Sequence, residues 1–363
     1  MCGRRTIHGL SVIALLSTAC GGPRAKASES APLRTLEEPA EIRGRDGGYS
    51  ALLWRASVWT FGDTVLEVED VDGEKWHHNS WARTNDLDAS DGPQELSSPR
   101  DEAGAPAYLI PPTADEREFN ELHRGDDCDI EPCHARYAVW PGQPVFDPDR
   151  DRALVPFELI YGEPGAWNFH GVGAGWAVWH APDELPQRPI VDEGQEHPTV
   201  SFLPEQPAPT LGPQIVGDAL FAFACPQEGF SRRCHLGRVA IEELHDPTAW
   251  RYWDGGRWNE EQDEAAALFD GAPIMSVSFN AYLEAWMVVC AAPFDDRVVM
   301  RTAQELTGPG RNRRPCTSRT SRRTTVIRTT LCTTPSSRRR AAAFSTSPTR
   351  GRQASGSSRS SFW

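Results

Sequence analysis

The chain has 363 residues, 39% of them apolar, with 37 Lys and Arg against 51 Asp and Glu, for a formal net charge of -14. That balance excludes a polytopic membrane protein and, taken whole, a disordered chain. The average conceals a break, because the last 56 residues, from Gly308 to Trp363, hold 13 Arg and neither Lys nor an acidic residue, leaving 24 basic against 51 acidic residues in the body. A body so acidic repels phosphate backbones, and nucleic acid is not an expected partner.

The N-terminus places Arg4 and Arg5 before a short apolar run from Leu10 to Leu16, followed by small residues ending at Cys20. The run is far shorter than the roughly 20 residues a membrane span needs, so residues 1–19 are predicted to be a signal peptide. Ser17-Thr18-Ala19-Cys20 resembles a bacterial lipobox, which makes Cys20 the expected lipidation site, with Ser17 standing where Leu is usual. Plain secretion is the alternative. Residues 20–40, rich in Gly, Pro, Ala, Ser and charge, suit a tether that holds the following domain away from a membrane. The expected location is the bacterial cell envelope, lipid-anchored or secreted, with a lipid as the only membrane contact.

Residues 41–307 read as repeats. Four segments end alike, at Leu87, Leu185, Leu244 and Leu306, and the polar stretch from about Ser98 to His134 reads as a long insertion in the first interval. Upstream of each ending stands a pair of short apolar runs split by a turn: SVWTFGDTVLEV, PVFDPDRDRALVPFELI, QIVGDALFAFAC and MSVSFNAYLEAWMVVCA. The turns at Asp147 to Arg150, Gly217-Asp218 and Asn280 to Tyr282 use residues that accept tight hairpin geometry. At least three strands per repeat suggest the blade of a β-propeller. Helix is predicted only as short surface helices over Asp115 to His123 and Glu260 to Phe269. The fold is therefore all-β, a five-bladed propeller whose fifth blade is lost, with four blades or a twin sandwich as the alternative.

The tail, residues 308–363, has 21 Ser or Thr and repeated Arg clusters with almost no apolar periodicity. It cannot form a packed core by itself. Arg, Ser, Thr and Pro together are what a GC-rich gene yields when read out of frame, so a frameshift near residue 308 is the expectation and a disordered basic arm the alternative.

Export lets nearby cysteines pair. Cys128 with Cys133 and Cys225 with Cys234 are the expected disulfides, whereas Cys290, inside an apolar run, is expected to be a buried small hydrophobe. His77 and His78 are adjacent and face opposite ways in a strand, so they cannot share a metal. Gly171-Val172-Gly173-Ala174-Gly175 lacks the strand-to-helix context of a dinucleotide site and more simply lets a strand pass close to its neighbour. Phosphate-loop and serine-nucleophile motifs are missing, and no cofactor or metal is expected.

Six motifs carry a resemblance: Arg45-Asp46-Gly47-Gly48-Tyr49-Ser50, VWTFGDT at 58–64, RYAVWPG at 136–142, the stretch from Cys225 to Leu244, LFDGAP at 268–273, and Leu306-Thr307-Gly308-Pro309. With these the body, over about residues 41–309, resembles the domain-of-unknown-function 4185 family. Its members are bacterial exported proteins with a five-bladed propeller like those of several glycosidase families, and some are endo-D-arabinanases. The resemblance implies an exported monomer that meets a polysaccharide, as a glycoside hydrolase of furanose glycans such as D-arabinan. The alternative is a non-catalytic glycan-binding or envelope interaction protein on the same scaffold.

Glycoside hydrolysis usually needs two carboxylates flanking the scissile bond, one donating a proton to the leaving oxygen and one acting on water or on the anomeric carbon. By resemblance, Asp46 and Asp63 are the candidate catalytic pair, although either could equally serve as a turn residue. Trp140 could stack on a sugar face, and Glu158, which interrupts an apolar run, is the reserve carboxylate. Trp54, Trp59, Trp176, Trp179 and Trp286 are expected in the core, and Asp147 and Asp218 in structural turns.

Overall fold

The computed structural model describes residues 38–229, 231–291 and 297–308, together with the backbone of 325–328. The signal peptide, Cys20 and nearly all of the tether lie outside the described residues, as does most of the tail. Among the described residues no helix is long and apolar enough to cross a membrane.

Four antiparallel sheets follow one another along the chain. The first holds β1 (Ile42–Leu53), β2 (Ala56–Leu66), β3 (Trp76–His77) and β4 (Ser80–Thr84). The second holds β5 (Arg136–Pro141), β6 (Val145–Asp147), β7 (Arg152–Gly162) and β8 (Phe169–Trp179). The third is larger, built from β9 (Leu211–Val216), β10 (Ala219–Ala224), β11 (Gln227–Glu228), β12 (Ser231–Ala240), β13 (Arg251–Trp253), β14 (Trp258–Asn259) and β15 (Ala267–Asp270). The fourth runs β16 (Met275–Asn280), β17 (Ala285–Ala291), β18 (Arg297–Ala303) and β19 (Thr325–Arg328). The protein is mostly β, as the alternating patterns predict. The four similar endings follow β4, β8, β12 and β18, the strands that pair with β2, β7, β10 and β17. Four residues of the tail therefore pair with β18 through their backbone.

The inner strands succeed one another, β1 against β6, β6 against β9 and β9 against β16. None of the sheets closes on itself among the described residues. The Tyr49 hydroxyl donates to the Pro273 carbonyl at 3.1 Å and ties β1 to the segment entering the fourth sheet.

Hydrophobic burial sits between successive sheets. Leu53, Val58, Trp81, Val139, Val155, Phe157 and Trp179 join the first sheet to the second. Leu154, Trp176, Phe202, Leu220, Val239 and Trp250 join the second to the third, and Phe223, Leu236, Met275, Val277 and Val288 the third to the fourth. Strand β7 is buried along most of its length because it has neighbours on both edges and cores on both faces. Pro156 in its middle has no N–H to give. The inner strand breaks opposite it, β5 ending at Pro141 and β6 resuming at Val145, while the Pro156 carbonyl still accepts from the Gly142 N–H at 2.8 Å.

The insertion after β4 carries α1 (Ala114–Leu122), started by a capping box in which Thr113 and Glu116 satisfy each other's backbone N–H groups. Glu116 also takes a buried ion pair from Arg188 at 2.5 Å, which fastens the helix to the second sheet's exit loop. Both expected disulfides form, Cys128–Cys133 in the insertion and Cys225–Cys234 between β10 and β12. Such bonds persist in an oxidising compartment. Cys290 is a buried free thiol. Cys128, Glu131 and Cys133 group their ligand atoms, but both sulfurs are consumed by the disulfide.

Two local expectations are corrected. Glu260 to Phe269 is not a helix: only the single 3-10 turn Gln262–Glu264 forms, and Ala267–Asp270 becomes β15, paired to β12. SVWTFGDTVLEV is not a pair of runs split by a turn, because β2 runs unbroken from Ala56 to Leu66 and the hairpin turns at Trp54-Arg55, both at positive φ.

Candidate functional site

Asp46 lies in an irregular stretch of β1. Arg45 pairs with Thr64 and Gly47 with Phe61, so Asp46 opposes two residues, Gly62 and Asp63, across a bulge. Gly47 adopts φ +74 there, a left-handed value that suits glycine. The Asp63 backbone N–H donates to the Asp46 carboxylate. A Cβ at Gly62 would stand 2.6 Å from Asp46 Oδ1, so glycine at 62 is what leaves room for the carboxylate. The Arg45 guanidinium points away from the acids, over the Phe61 ring at 3.5 Å and paired with Glu38 at 2.9 Å.

Gly62→Ala should therefore displace the Asp46 carboxylate and leave the fold standing, because the obstructing atom is the end of a movable side chain. The expected result is an unchanged melting temperature with the Asp46 charge moved off Asp63, so that the Asp63 carboxyl falls from about 7. Thermal melting and a carboxyl titration by NMR on the same preparation check it.

Asp63, half-buried in β2, accepts from the Trp140 indole N–H at 3.0 Å. Burial and then the neighbouring Asp46 charge push its carboxyl up to about 7, against the pull of Trp140 and Arg136. Asp46 stays exposed along one side, yet partial burial of its carboxyl raises it, opposed by its bond from the Asp63 N–H. Two carboxyls this closely linked titrate as a pair, and Asp63 is the one pushed toward neutrality.

These acids line a cavity of about 410 Å³, walled also by Trp76, Arg136, Trp140, Trp167 and Phe169. The Arg136 guanidinium lies 4.1 Å over the Trp76 ring. Its charge is partly desolvated by burial and is favoured by Glu74 and Asp63. The wall is thus aromatic with one cation and two acids, the composition of a pocket that takes an amphipathic ligand.

Glu158 is the cross-strand partner of Trp140 on β7. Its Oε1 occupies the space a Cβ at Gly171 would need, at 2.6 Å. Part of the side chain stays open to solvent, yet burial of the carboxyl pushes it up, opposed by the Arg232 charge. Tyr49, pushed up to about 12 by burial and then by Glu158, lies among Glu158, Arg232 and Asp46. Close approach also explains the rest of the glycine run: a Cβ at Gly173 would meet Val200 at 2.3 Å and one at Gly175 would meet Phe157 at 2.8 Å.

The structure brings Asp46, Asp63 and Trp140 together around one cavity, with Glu158 on the strand beside it. Asp147 is fully buried with Arg150 and Arg152 and is structural. Asp218 sits in the β9–β10 turn, its carbonyl accepting from the Ile241 N–H. Trp176 and Trp179 are buried core, while Trp54 packs at the core's edge. His77 bonds Asp70 at 2.7 Å and His78 takes the Val139 N–H at 3.1 Å, so the two rings serve separate partners. Sequence reasoning missed Trp76, Arg136, Trp167 and Phe169. Arg136 opens the RYAVWPG motif and carried a signal; the others come from loops and strand ends with none.

Among curated proteins none matches the sequence. Solved structures with some likeness include a family 117 glycoside hydrolase from the marine bacterium Zobellia galactanivorans, at 11% identity and TM-score 0.38, covering 74% of this chain and 68% of that one. Another is the α-L-arabinofuranosidase PaAbf62A from Podospora anserina, crystallised with cellotriose, at 11% identity and TM-score 0.35, covering 80% and 70%. A third is the α-L-arabinofuranosidase CtGH43 from Clostridium thermocellum, at 12% identity and TM-score 0.33, covering 72% and 68%. No residue role passes from them to this chain. The matched family model spans 176–334, which takes in the Cys225 to Leu244, LFDGAP and Leu306 to Pro309 motifs and leaves Asp46, Asp63 and Trp140 before its start. Over residues 176–334 the chain thus matches the family described as "Domain of unknown function (DUF4185)", the family its motifs resemble.

Proposed function

We propose that the protein is a glycoside hydrolase of furanose polysaccharides such as D-arabinan, acting through Asp63 and Asp46. The observation that carries this reading is the carboxyl pair itself. One acid is held near pKa 7 by burial and by the other, inside an aromatic cavity of about 410 Å³. Enzymes that break glycosidic bonds at neutral pH need such a split, one carboxyl protonated and one ionised. Asp63 is the proton donor: it gives its proton to the leaving oxygen as the glycosidic bond breaks. Asp46 is the ionised partner that activates water or meets the anomeric carbon. Trp140 holds Asp63 through its N–H and offers a ring to the sugar, and Glu158 is a further substrate contact.

The same reading includes a five-bladed propeller whose fifth blade the frame change removes. It also includes a monomer exported to the cell envelope and tethered through lipid on Cys20. D-Arabinan enters through the resemblance of the sequence motifs.

The test is hydrolysis of purified D-arabinan by the full chain across pH 4 to 9, followed by reducing ends. Because Asp63 acts in its protonated form, kcat/KM should fall tenfold per unit above about pH 7. Binding without release of reducing ends at any pH would instead favour the non-catalytic glycan-binding reading.

A further inference from the structure

Trp167 is 85% exposed, at the head of the loop between β7 and β8. An indole left in water forgoes its burial energy, and here the backbone is also held at φ +64, outside the usual range for a non-glycine residue. The loop is braced rather than slack. The Glu163 N–H donates to the Asn168 carbonyl at 2.9 Å, and the Asn168 amide returns to the Pro164 carbonyl at 3.3 Å and to Glu163 Oε2 at 3.4 Å. Strain retained in a braced loop that presents a large ring to solvent points to use of that ring.

The ring does not stand alone. Trp167 lies 6.2 Å from Phe169, tilted 39°, and Phe169 stands edge-on to Trp140 at 5.2 Å. Trp140 in turn donates to Asp63 at 3.0 Å. An aromatic row therefore runs from the exposed Trp167 to the half-buried acid, and all four residues line the same cavity.

We propose that Trp167 is the outer platform of a glycan-binding groove leading to Asp63, a face on which a sugar ring of a polysaccharide chain stacks at a distance from the bond being cut. The inference rests on the glycan-active reading of the site. Chemistry favours a sugar, because its C–H face is apolar and its rim carries hydroxyls, matching an exposed indole beside a polar loop. A platform distant from the acid engages only chains long enough to span the row, so it selects for polymer over short fragments.

The experiment is a titration of D-arabinan oligosaccharides, from two to eight residues, into the full chain carrying Asp63→Asn so that nothing is cleaved. In that background Trp167→Ala should weaken binding of the long oligosaccharides about three- to tenfold. The affinity of the shortest should change little, and Trp167→Phe should recover most of the loss. Melting temperature should not move, since an exposed side chain contributes little to the core. Affinity unchanged at every length in Trp167→Ala, or uniform weakening with a lowered melting temperature, would overturn the platform. Hydrolysis by the unmodified chain separates the two failures. Turnover with an indifferent Trp167→Ala removes the platform alone. Absence of both turnover and binding removes the glycan-active reading and the platform with it.

Discussion

Asp63→Asn should abolish turnover and at the same time make the protein more stable at pH 8. The loss follows from the proton: Asn cannot donate one to a leaving oxygen, and general acid catalysis is worth about a hundred- to ten-thousandfold. The gain follows from linkage. The Asp63 carboxyl sits near pKa 7 in the fold against an ordinary value of 3.8, so the folded state holds a proton that the unfolded chain releases between those values. Stability from this group is fully present below pH 3.8 and is lost as pH rises through about 7. A shift of this size corresponds to about 4 kcal/mol if nothing screens it. Asp63 keeps some contact with solvent and shares its titration with Asp46, so roughly 1–3 kcal/mol is expected at pH 8. Asn preserves the acceptor for the Trp140 N–H, so packing of the indole is not disturbed. Denaturant unfolding at pH 4 and pH 8 reads the difference: the variant should match the unmodified protein at the low pH and exceed it at the high one. A variant less stable at pH 8 would mean that Asp63 is not the desolvated acid, and retained hydrolysis would remove it from catalysis.

The second large effect is structural. Trp179, the last residue of β8, is fully buried, with Trp54 edge-on at 5.3 Å and Trp81 at 5.0 Å, and its indole N–H donates to the Glu184 carbonyl at 2.8 Å. It is the largest fully buried side chain in the cluster joining the first sheet to the second. Trp179→Ala empties that volume and strands the Glu184 carbonyl, at a cost of about 3–5 kcal/mol. Against a total of about 5–15 kcal/mol for an ordinary domain, this is a large fraction. A lowered denaturation midpoint with an unchanged slope is the expected signature. Because Asp63 and Trp140 stand on the two sheets that Trp179 joins, activity should also be lost at a lower temperature in this variant. A cost under about 1 kcal/mol would mean that the sheets are held by something other than this cluster.

The features legible in the chain alone are local. Period-two alternation, the turns at Gly217-Asp218 and Asn280 to Tyr282, the insertion between Ser98 and His134, and the closely spaced cysteine pairs all reappear in the structure. The turns and the cysteine pairs depend on residues within about ten positions of one another, where backbone preference and loop closure leave few options. Tertiary structure decided the remainder. Gly62 looks like a turn residue from its neighbours, yet it is a mid-strand glycine because the Asp46 carboxylate, arriving from the adjacent strand, takes the space of its Cβ. Ala267–Asp270 looks helical in isolation but gains backbone partners on β12, which local propensity does not foresee. The candidate site combines β1, β2, β5 and the β7–β8 loop, and the acidity of Asp63 arises only when burial and a second carboxylate meet there. Which side chains share a cavity, and how far water is kept from them, depends on chain segments about a hundred residues apart, and that proximity exists only once the sheets have packed.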